Sequence, residues 1–326
     1  MKEVTYIQAV REALDEEMTR DDKVFLLGED IGPQGGVFHA TEGLLAKYGT
    51  ERVRQTPIAE CSIVGAACGA SMMGLRPVAE LMYLDFVTIG MDQLVNQIAK
   101  IRYISNGQVK LPLVIRTQGG GGRGKGPHHS QSLESWFLHV PGLKVIMPSS
   151  PYDAKGLLKS AIRDDSPVLF IENAILYNTK GNIPEEEYTL PLGKADIKME
   201  GNDITIAAVS YMVQKSLEAA AELKNEGISA EVVDIRSVYP LDIDTISDSV
   251  KKTSRLLVVH EACKRGGIGG EIVSQIVEDT FDYLDAPAAR IGGLETPMPY
   301  AESLEKQIIP DTEKIVVKVK KLLGNI

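Results

Sequence analysis

The chain has 326 residues, of which 44% are apolar and 25% charged, a balance typical of an ordinary soluble globular protein with room for about two domains. A net charge of −10 with no Lys/Arg run argues against a nucleic-acid partner, whose phosphates call for excess positive charge. Cys61, Cys68 and Cys263 form no Cys-x-x-Cys pair, so neither a disulfide framework nor a zinc site is expected, and no stretch is long and apolar enough for a signal sequence or membrane span. A reducing, cytoplasmic setting follows from the thiols.

In chain order, residues 5–18 predict a helix capped by Thr5, with Ala9, Val10, Ala13, Leu14 and Met18 on one face. VFLLGED (24–30) predicts a strand, SIVGAACGASMMG (62–74) a tightly packed helix, RPVAELM (76–82) a strand and residues 86–105 one long helix. LPLVIRTQ, LKVIMPS and PVLFIEN continue as strands, with helices near 131–139 and 152–163. Residues 174–202 lose apolar periodicity and gather Gly, Pro and Glu, so they read as a linker. Alternation then resumes: strands at DITIAAVS, AEVVDIRS, RLLVVHEA and ARIGGLE, helices at 212–226, 242–252, 269–281 and 312–323. Strands alternating with helices imply parallel pairing, because a parallel strand needs a crossover to return. The expected fold class is α/β with two doubly wound domains. The first domain covers residues 1–185, the linker 186–202 and the second domain 203–326.

Several segments carry chemistry-bearing residues. TQGGGGRGKGPHHSQS (117–132) begins like a phosphate-binding loop from Gly119 to Lys125, but Gly126 stands where a magnesium-holding Ser or Thr belongs and Pro127 blocks the helix behind it. The glycines alone therefore predict a flexible loop, with or without a ligand to order it. At its end, His128 and His129 are either polar surface or proton-transfer groups. GGIGGE (266–271) lacks the third glycine of a dinucleotide fingerprint and is better explained by tight helix–strand packing. In TPIAE (56–60), Glu60 precedes the small-residue helix. It either complements the helix dipole or is held in a dry cleft where it can share a proton with a ligand.

TPIAE, RPVAELMYLDF, DQLVNQIAKIRY, HHSQS, PGLKVIMPSSPYDAKGLLKSAIRDDSPV and DAPAARIGGLETPMPYA occur together in this order. The whole chain thereby resembles the beta subunits of the thiamine-diphosphate-dependent decarboxylating components of pyruvate, branched-chain 2-oxo acid and acetoin dehydrogenase complexes. The resemblance implies an N-terminal pyrimidine-binding domain and a C-terminal transketolase-like domain. It also implies an alpha partner in a heterotetramer of two alpha and two beta chains, a lipoyl acyltransferase core, and Mg2+ held mainly by the alpha chain. No Gly-Asp-Gly occurs here, which agrees with that division of labour.

Carried over residue by residue, Glu60 matches the carboxyl that hydrogen-bonds the aminopyrimidine. Met82 and Phe86 match cofactor-side neighbours, and Glu29, counted with them as cofactor-binding, matches a carboxylate between the two active sites. His129 matches a proton-transfer group near the lipoyl acceptor, while His128 departs from the usual residue. Asp92 matches a further inter-site carboxylate, although a surface or helix-dipole role suits it better. Leu113, Ala161, Ile162, Asp164 and Ser166 match a structural K+ site. The implied activity is cleavage of pyruvate or acetoin with transfer of the two-carbon unit to lipoamide. A branched-chain substrate and a catalytically silent docking homologue are the alternatives.

Overall fold

The computed structural model describes residues 1–324, which form two compact units: residues 1–119 with 136–192, and residues 120–135 with 193–326. Among the described residues no helix is long and apolar enough to cross a membrane.

The first unit opens with strand β1 (Lys2–Thr5) and helix α1 (Tyr6–Arg20). Thr5 caps the helix as expected: its hydroxyl accepts the Gln8 N–H at 3.3 Å and the Gln8 side chain returns a bond to the Thr5 N–H at 2.8 Å. Then follow β2 (Val24–Glu29), α2 (Leu44–Tyr48), β3 (Val53–Thr56), α3 (Glu60–Met72), β4 (Arg76–Leu81) and α4 (Leu84–Val87). After a wide helical stretch come α5 (Ala99–Ile104), β5 (Val114–Gly119), α6 (Glu134–Leu138), β6 (Lys144–Ile146), α7 (Pro151–Arg163) and β7 (Val168–Asn173). Strands in the order β6-β7-β5-β4-β2-β3 pair in parallel throughout. Every residue of β2, β5 and β7 is buried, as expected for parallel strands covered on both faces. Helix α7 lies along α1, where the buried Lys155 and Lys159 each reach Glu16 at 2.6 Å.

Two expectations for this unit change. The helix foreseen over 86–105 is not uniform: α4 passes into a tight turn at Thr88–Gly90, a wide π-type stretch at Asp92–Ile98, and then α5. Close packing on α3 accounts for the irregularity, since a Cβ on Gly90 would meet Val64 Cγ2 at 3.0 Å. The segment read as a linker also contains structure. Strand β8 (Lys180–Ile183) pairs antiparallel with β1, and β9 (Asp196–Met199) forms the antiparallel edge of the second sheet. Both strands are only four residues long and β8 lacks apolar alternation, so pairing with distant partners decided their conformation.

The second unit continues with β10 (Ile204–Ala208), α8 (Tyr211–Asn225), β11 (Ala230–Asp234), β12 (Ser237–Tyr239), α9 (Ile243–Thr253), β13 (Leu256–Cys263), α10 (Ile268–Thr280) and β14 (Ala289–Gly293), and ends with α11 (Glu302–Ile308) and α12 (Thr312–Leu322). Its sheet runs β14-β13-β10-β11-β9, parallel except for β9. Ile206, Val232, Leu257, Leu223 and Val319 lie in its core. The GGIGGE glycines do pack helix on strand, and the group they accommodate is the imidazole of His260. A Cβ on Gly267 would lie 2.3 Å from its Cε1, and one on Gly269 2.7 Å from its Cδ2. His260 is fully buried, and burial followed by the charge of Arg290 pushes its pKa down to about 4.

The glycine loop is not the free flexible segment its composition predicts. The Gly121 N–H donates to Glu261 Oε1 at 2.5 Å, and the Gly122 and Gly124 N–H groups donate to the two oxygens of buried Glu305 at 2.6 and 2.9 Å. Gly122 and Gly124 adopt positive φ, and their amides, two residues apart, turn toward one carboxylate in the manner of a phosphate-binding loop. Here the anion is part of the chain.

Candidate functional site

In an open parallel sheet, groups at the carboxyl ends of neighbouring strands converge on one edge. Glu29 is the last residue of β2, and Glu60 begins α3 shortly after β3, the strand paired with β2 on one side. Met82 follows β4, the strand on the other side of β2, and Phe86 lies in α4 just beyond it. The sheet therefore gathers Glu29, Glu60, Met82 and Phe86 at one edge of the first unit. His129 is carried by the 120–135 segment of the second unit, half-buried, with His128 exposed beside it.

Both carboxyls are buried, each 5% exposed. Glu60 has no side-chain hydrogen-bond or ion-pair partner among the described residues, and Glu29 Oε1 is buried with none. Burial raises the pKa of Glu29 first, and the nearby charges of Glu60, Asp30 and Glu80 raise it further against a backbone hydrogen bond from Ala59. An isolated buried carboxylate is costly, so this pair is arranged to hold a proton or to meet a donor. Aromatic rings complete the wall: Tyr83 and Phe86 meet edge to face at 5.8 Å, and Phe38 meets Tyr83 at 6.1 Å. Asp92 instead accepts from Asn96 Nδ2 at 2.7 Å, one turn along its own helical stretch.

The five residues carried over for K+ lie together near the start of β7. The Ile162 and Asp164 carbonyls accept from Arg76 Nη1 at 3.0 and 3.2 Å, and the Leu113 carbonyl accepts the Val168 N–H at 3.0 Å. The Ala161 carbonyl accepts the Asp164 N–H at 3.3 Å, while the Asp164 carboxylate takes the Ser166 N–H at 2.8 Å and the Lys144 ammonium. Hard oxygen donors suit a group I ion, but Arg76, Lys144 and Arg102, whose Nη1 donates to Ser166 Oγ at 2.6 Å, already lie on this set.

Sequence reasoning overlooked a buried ionic cluster beneath the edge. Arg116 on β5 bonds Glu80 on β4 and grips Glu172 on β7 with two nitrogens, and Tyr177 Oη donates to Glu172 Oε2 at 2.8 Å. The available signal was a charged residue set within the apolar run of each of three predicted strands, Glu80 in RPVAELM, Arg116 in LPLVIRTQ and Glu172 in PVLFIEN.

Comparison with known proteins gives this arrangement its context. The family model described as transketolase, pyrimidine binding domain matches residues 2–180, and that described as transketolase, C-terminal domain matches residues 193–315. The rice (Oryza sativa subsp. japonica) mitochondrial pyruvate dehydrogenase E1 component subunit beta-2 is 48% identical over 98% of this chain and 86% of its own length. The chain belongs to the family of dehydrogenase E1 beta subunits. A second family member, the Bacillus subtilis (strain 168) 2-oxoisovalerate dehydrogenase subunit beta, is 47% identical, covering 99% of each chain. A third, the acetoin:2,6-dichlorophenolindophenol oxidoreductase subunit beta of the same organism, is 46% identical over 98% of this chain and 97% of its own. Among solved structures, a split-gene transketolase in an inactive β4 tetramer superposes with a TM-score of 0.80 at 24% identity over 98% of both chains, a likeness of fold. The E1-beta fold thus places the Glu29–Glu60 edge in the half matched by the pyrimidine-binding model.

Proposed function

We propose that this chain is the beta half of a thiamine-diphosphate-dependent E1 enzyme that cleaves pyruvate or acetoin and hands the two-carbon unit to lipoamide. The observation that carries the reading is Glu60: a buried acid without a protein partner, beside a second carboxyl with an unpaired buried oxygen and a wall of Met82 and Phe86. Such a cleft fits an aminopyrimidine, whose flat face packs on apolar side chains and whose ring nitrogen meets an acid. When bound, the coenzyme supplies the nucleophilic carbon and the electron sink for breaking the bond beside a carbonyl. Glu60 would bind and orient the pyrimidine and hold a proton at its ring nitrogen. Glu29 would support that proton through the shared field, and Met82 and Phe86 would exclude water. His129 would move a proton as the two-carbon unit leaves for the acyltransferase's lipoyl group.

An alpha partner belongs to the same reading, in an assembly of two alpha and two beta chains, and would hold the coenzyme's diphosphate through Mg2+. A structural K+ would use the remaining lone pairs of the Leu113, Ala161, Ile162, Asp164 and Ser166 oxygens, in competition with Arg76 and Lys144. Exchange of K+ for choline would then lower the melting temperature. The free thiols of Cys61 and Cys263, both exposed, suit a reducing compartment such as the cytoplasm.

The decisive experiment reconstitutes the chain with its alpha partner and compares wild type with Glu60→Gln. Assembly without turnover supports the reading, whereas unchanged turnover overturns it. A screen of pyruvate, acetoin and branched-chain 2-oxo acids decides the substrate, and exclusive use of branched-chain acids would replace the first choice.

A further inference from the structure

The buried cluster around Arg116 has no place in the function proposed so far. Its geometry is specific. Glu80 and Arg116 face each other across β4 and β5, and Glu172 lies across from Gln118, two residues farther along β5. Arg116 Nη1 bonds Glu80, Nε bonds one oxygen of Glu172, and Nη2 bonds the other at 3.0 Å. One guanidinium therefore ties three adjacent strands together just before their carboxyl ends, using the planar fork that only Arg provides. Arg116 is 3% exposed and Glu172 1%, so water screens little of this interaction.

Two lines of contact lead from the clamp to the candidate edge. Along the sheet, Gln118 Nε2 donates to the Met82 carbonyl at 3.1 Å, directly after the end of β4. Through the rings, Tyr177 donates to Glu172 and packs on Phe38 at 5.2 Å, Phe38 on Tyr83 at 6.1 Å, and Tyr83 on Phe86 at 5.8 Å. Both end on residues placed on the wall of the cleft.

The charge balance adds an independent argument. Glu29 from β2, Glu60 from α3, Glu80 from β4 and Glu172 from β7 lie close enough to interact in this region, with Asp30 near Glu29 and Tyr177 near Glu172, and Arg116 bonds Glu80 and Glu172. Glu80 acts on both Glu29 and Glu172. Burial keeps the Glu172 carboxyl above the ordinary range against the opposing charge and hydrogen bonds of Arg116, so Arg116 offsets only part of the cost of enclosing these acids.

We infer that Arg116 is a positioning residue for the cofactor cleft: with Glu80, Glu172 and Tyr177 it fixes the Met82–Phe86 wall. The inference rests on the thiamine-diphosphate reading and deepens it. Arg116 touches neither cofactor nor substrate and acts through its neighbours.

The test uses the reconstituted alpha–beta enzyme and measures thiamine diphosphate binding by calorimetry alongside the pH profile of turnover. Arg116→Lys keeps the charge and loses the fork. Tyr177→Phe loses only the hydroxyl, so it serves if the Arg116 variant does not assemble. The expected result is a cofactor Kd raised roughly tenfold in Arg116→Lys and less in Tyr177→Phe. Turnover at saturating cofactor should fall less than binding does, and the acid limb of the profile should move. A lowered melting temperature with unchanged Kd and unchanged pH profile in both variants would overturn the inference. If wild type itself binds no thiamine diphosphate, the functional reading fails instead.

Discussion

Glu60 stands close enough to Glu29 that its negative charge is, after burial, the largest influence raising the Glu29 pKa. Glu29 ends β2 and Glu60 opens the helix that follows the neighbouring parallel strand β3, and both are buried. A group with a raised folded-state pKa favours folding most below its unfolded value, and that advantage is lost as pH rises through the folded value. Glu29→Gln is therefore expected to raise the melting temperature at pH 8 and to leave it nearly unchanged near pH 4.5. Glu60→Gln should move the Glu29 titration to lower pH, observable by infrared difference spectroscopy of the carboxyl band. An unmoved band would show that the two groups are independent.

Glu134 offers a cleaner case of the same sign. It is fully enclosed at the start of α6, Oε2 has no hydrogen-bond partner, and burial pushes its pKa up to about 7. Between its ordinary value of 4.5 and about 7 the folded chain binds the extra proton, so stability declines across that window as pH rises. Glu134→Gln should stabilise the protein at pH 8 by up to roughly 3 kcal/mol and hardly at all at pH 4.5, as read from urea midpoints at the two pH values.

His260 has the opposite sign. Its pKa falls from 6.5 to about 4 in the fold, so the unfolded chain takes up the proton first as pH drops. The stability it contributes is complete above pH 6.5 and lost by about pH 4, an amount of roughly 3 kcal/mol. His260→Gln should flatten the pH dependence of unfolding over this range, although refitting the glycine cradle will lower stability at neutral pH.

The glycine loop can be released without touching a glycine. Glu305→Gln keeps the shape and removes the charge that the Gly122 and Gly124 amides bind at 2.6 and 2.9 Å. Charge-assisted bonds of this kind contribute about 1.5–3 kcal/mol. Hydrogen exchange at these two amides should accelerate at least roughly tenfold, with little change in the β10 amides.

The parallel sheets and the capped first helix were legible because their signals are local: apolar runs in VFLLGED and LPLVIRTQ, and Thr5 three residues before Gln8. Glu60 was visible from sequence only as one of two alternatives, since an acid in the first turn of a helix has an ordinary electrostatic explanation. Its burial beside Glu29 depends on β2 and β3 ending side by side, a fact of strand order. The loop was misread because its anchors lie 140 and 183 residues downstream at Glu261 and Glu305. Likewise β8 carries no local strand signal, because the partner that orders it, β1, is at the other end of the unit.

That last pairing bears on how the protein is made. Strand β1 is made well before its partner and must wait for Lys180–Ile183 before its backbone groups find their ladder. Until then α1 also lacks α7, against which it packs, so a nascent chain shorter than this carries an unmatched edge and an uncovered apolar face. The first unit can close its opening strand and helix only when nearly all of its residues have been translated.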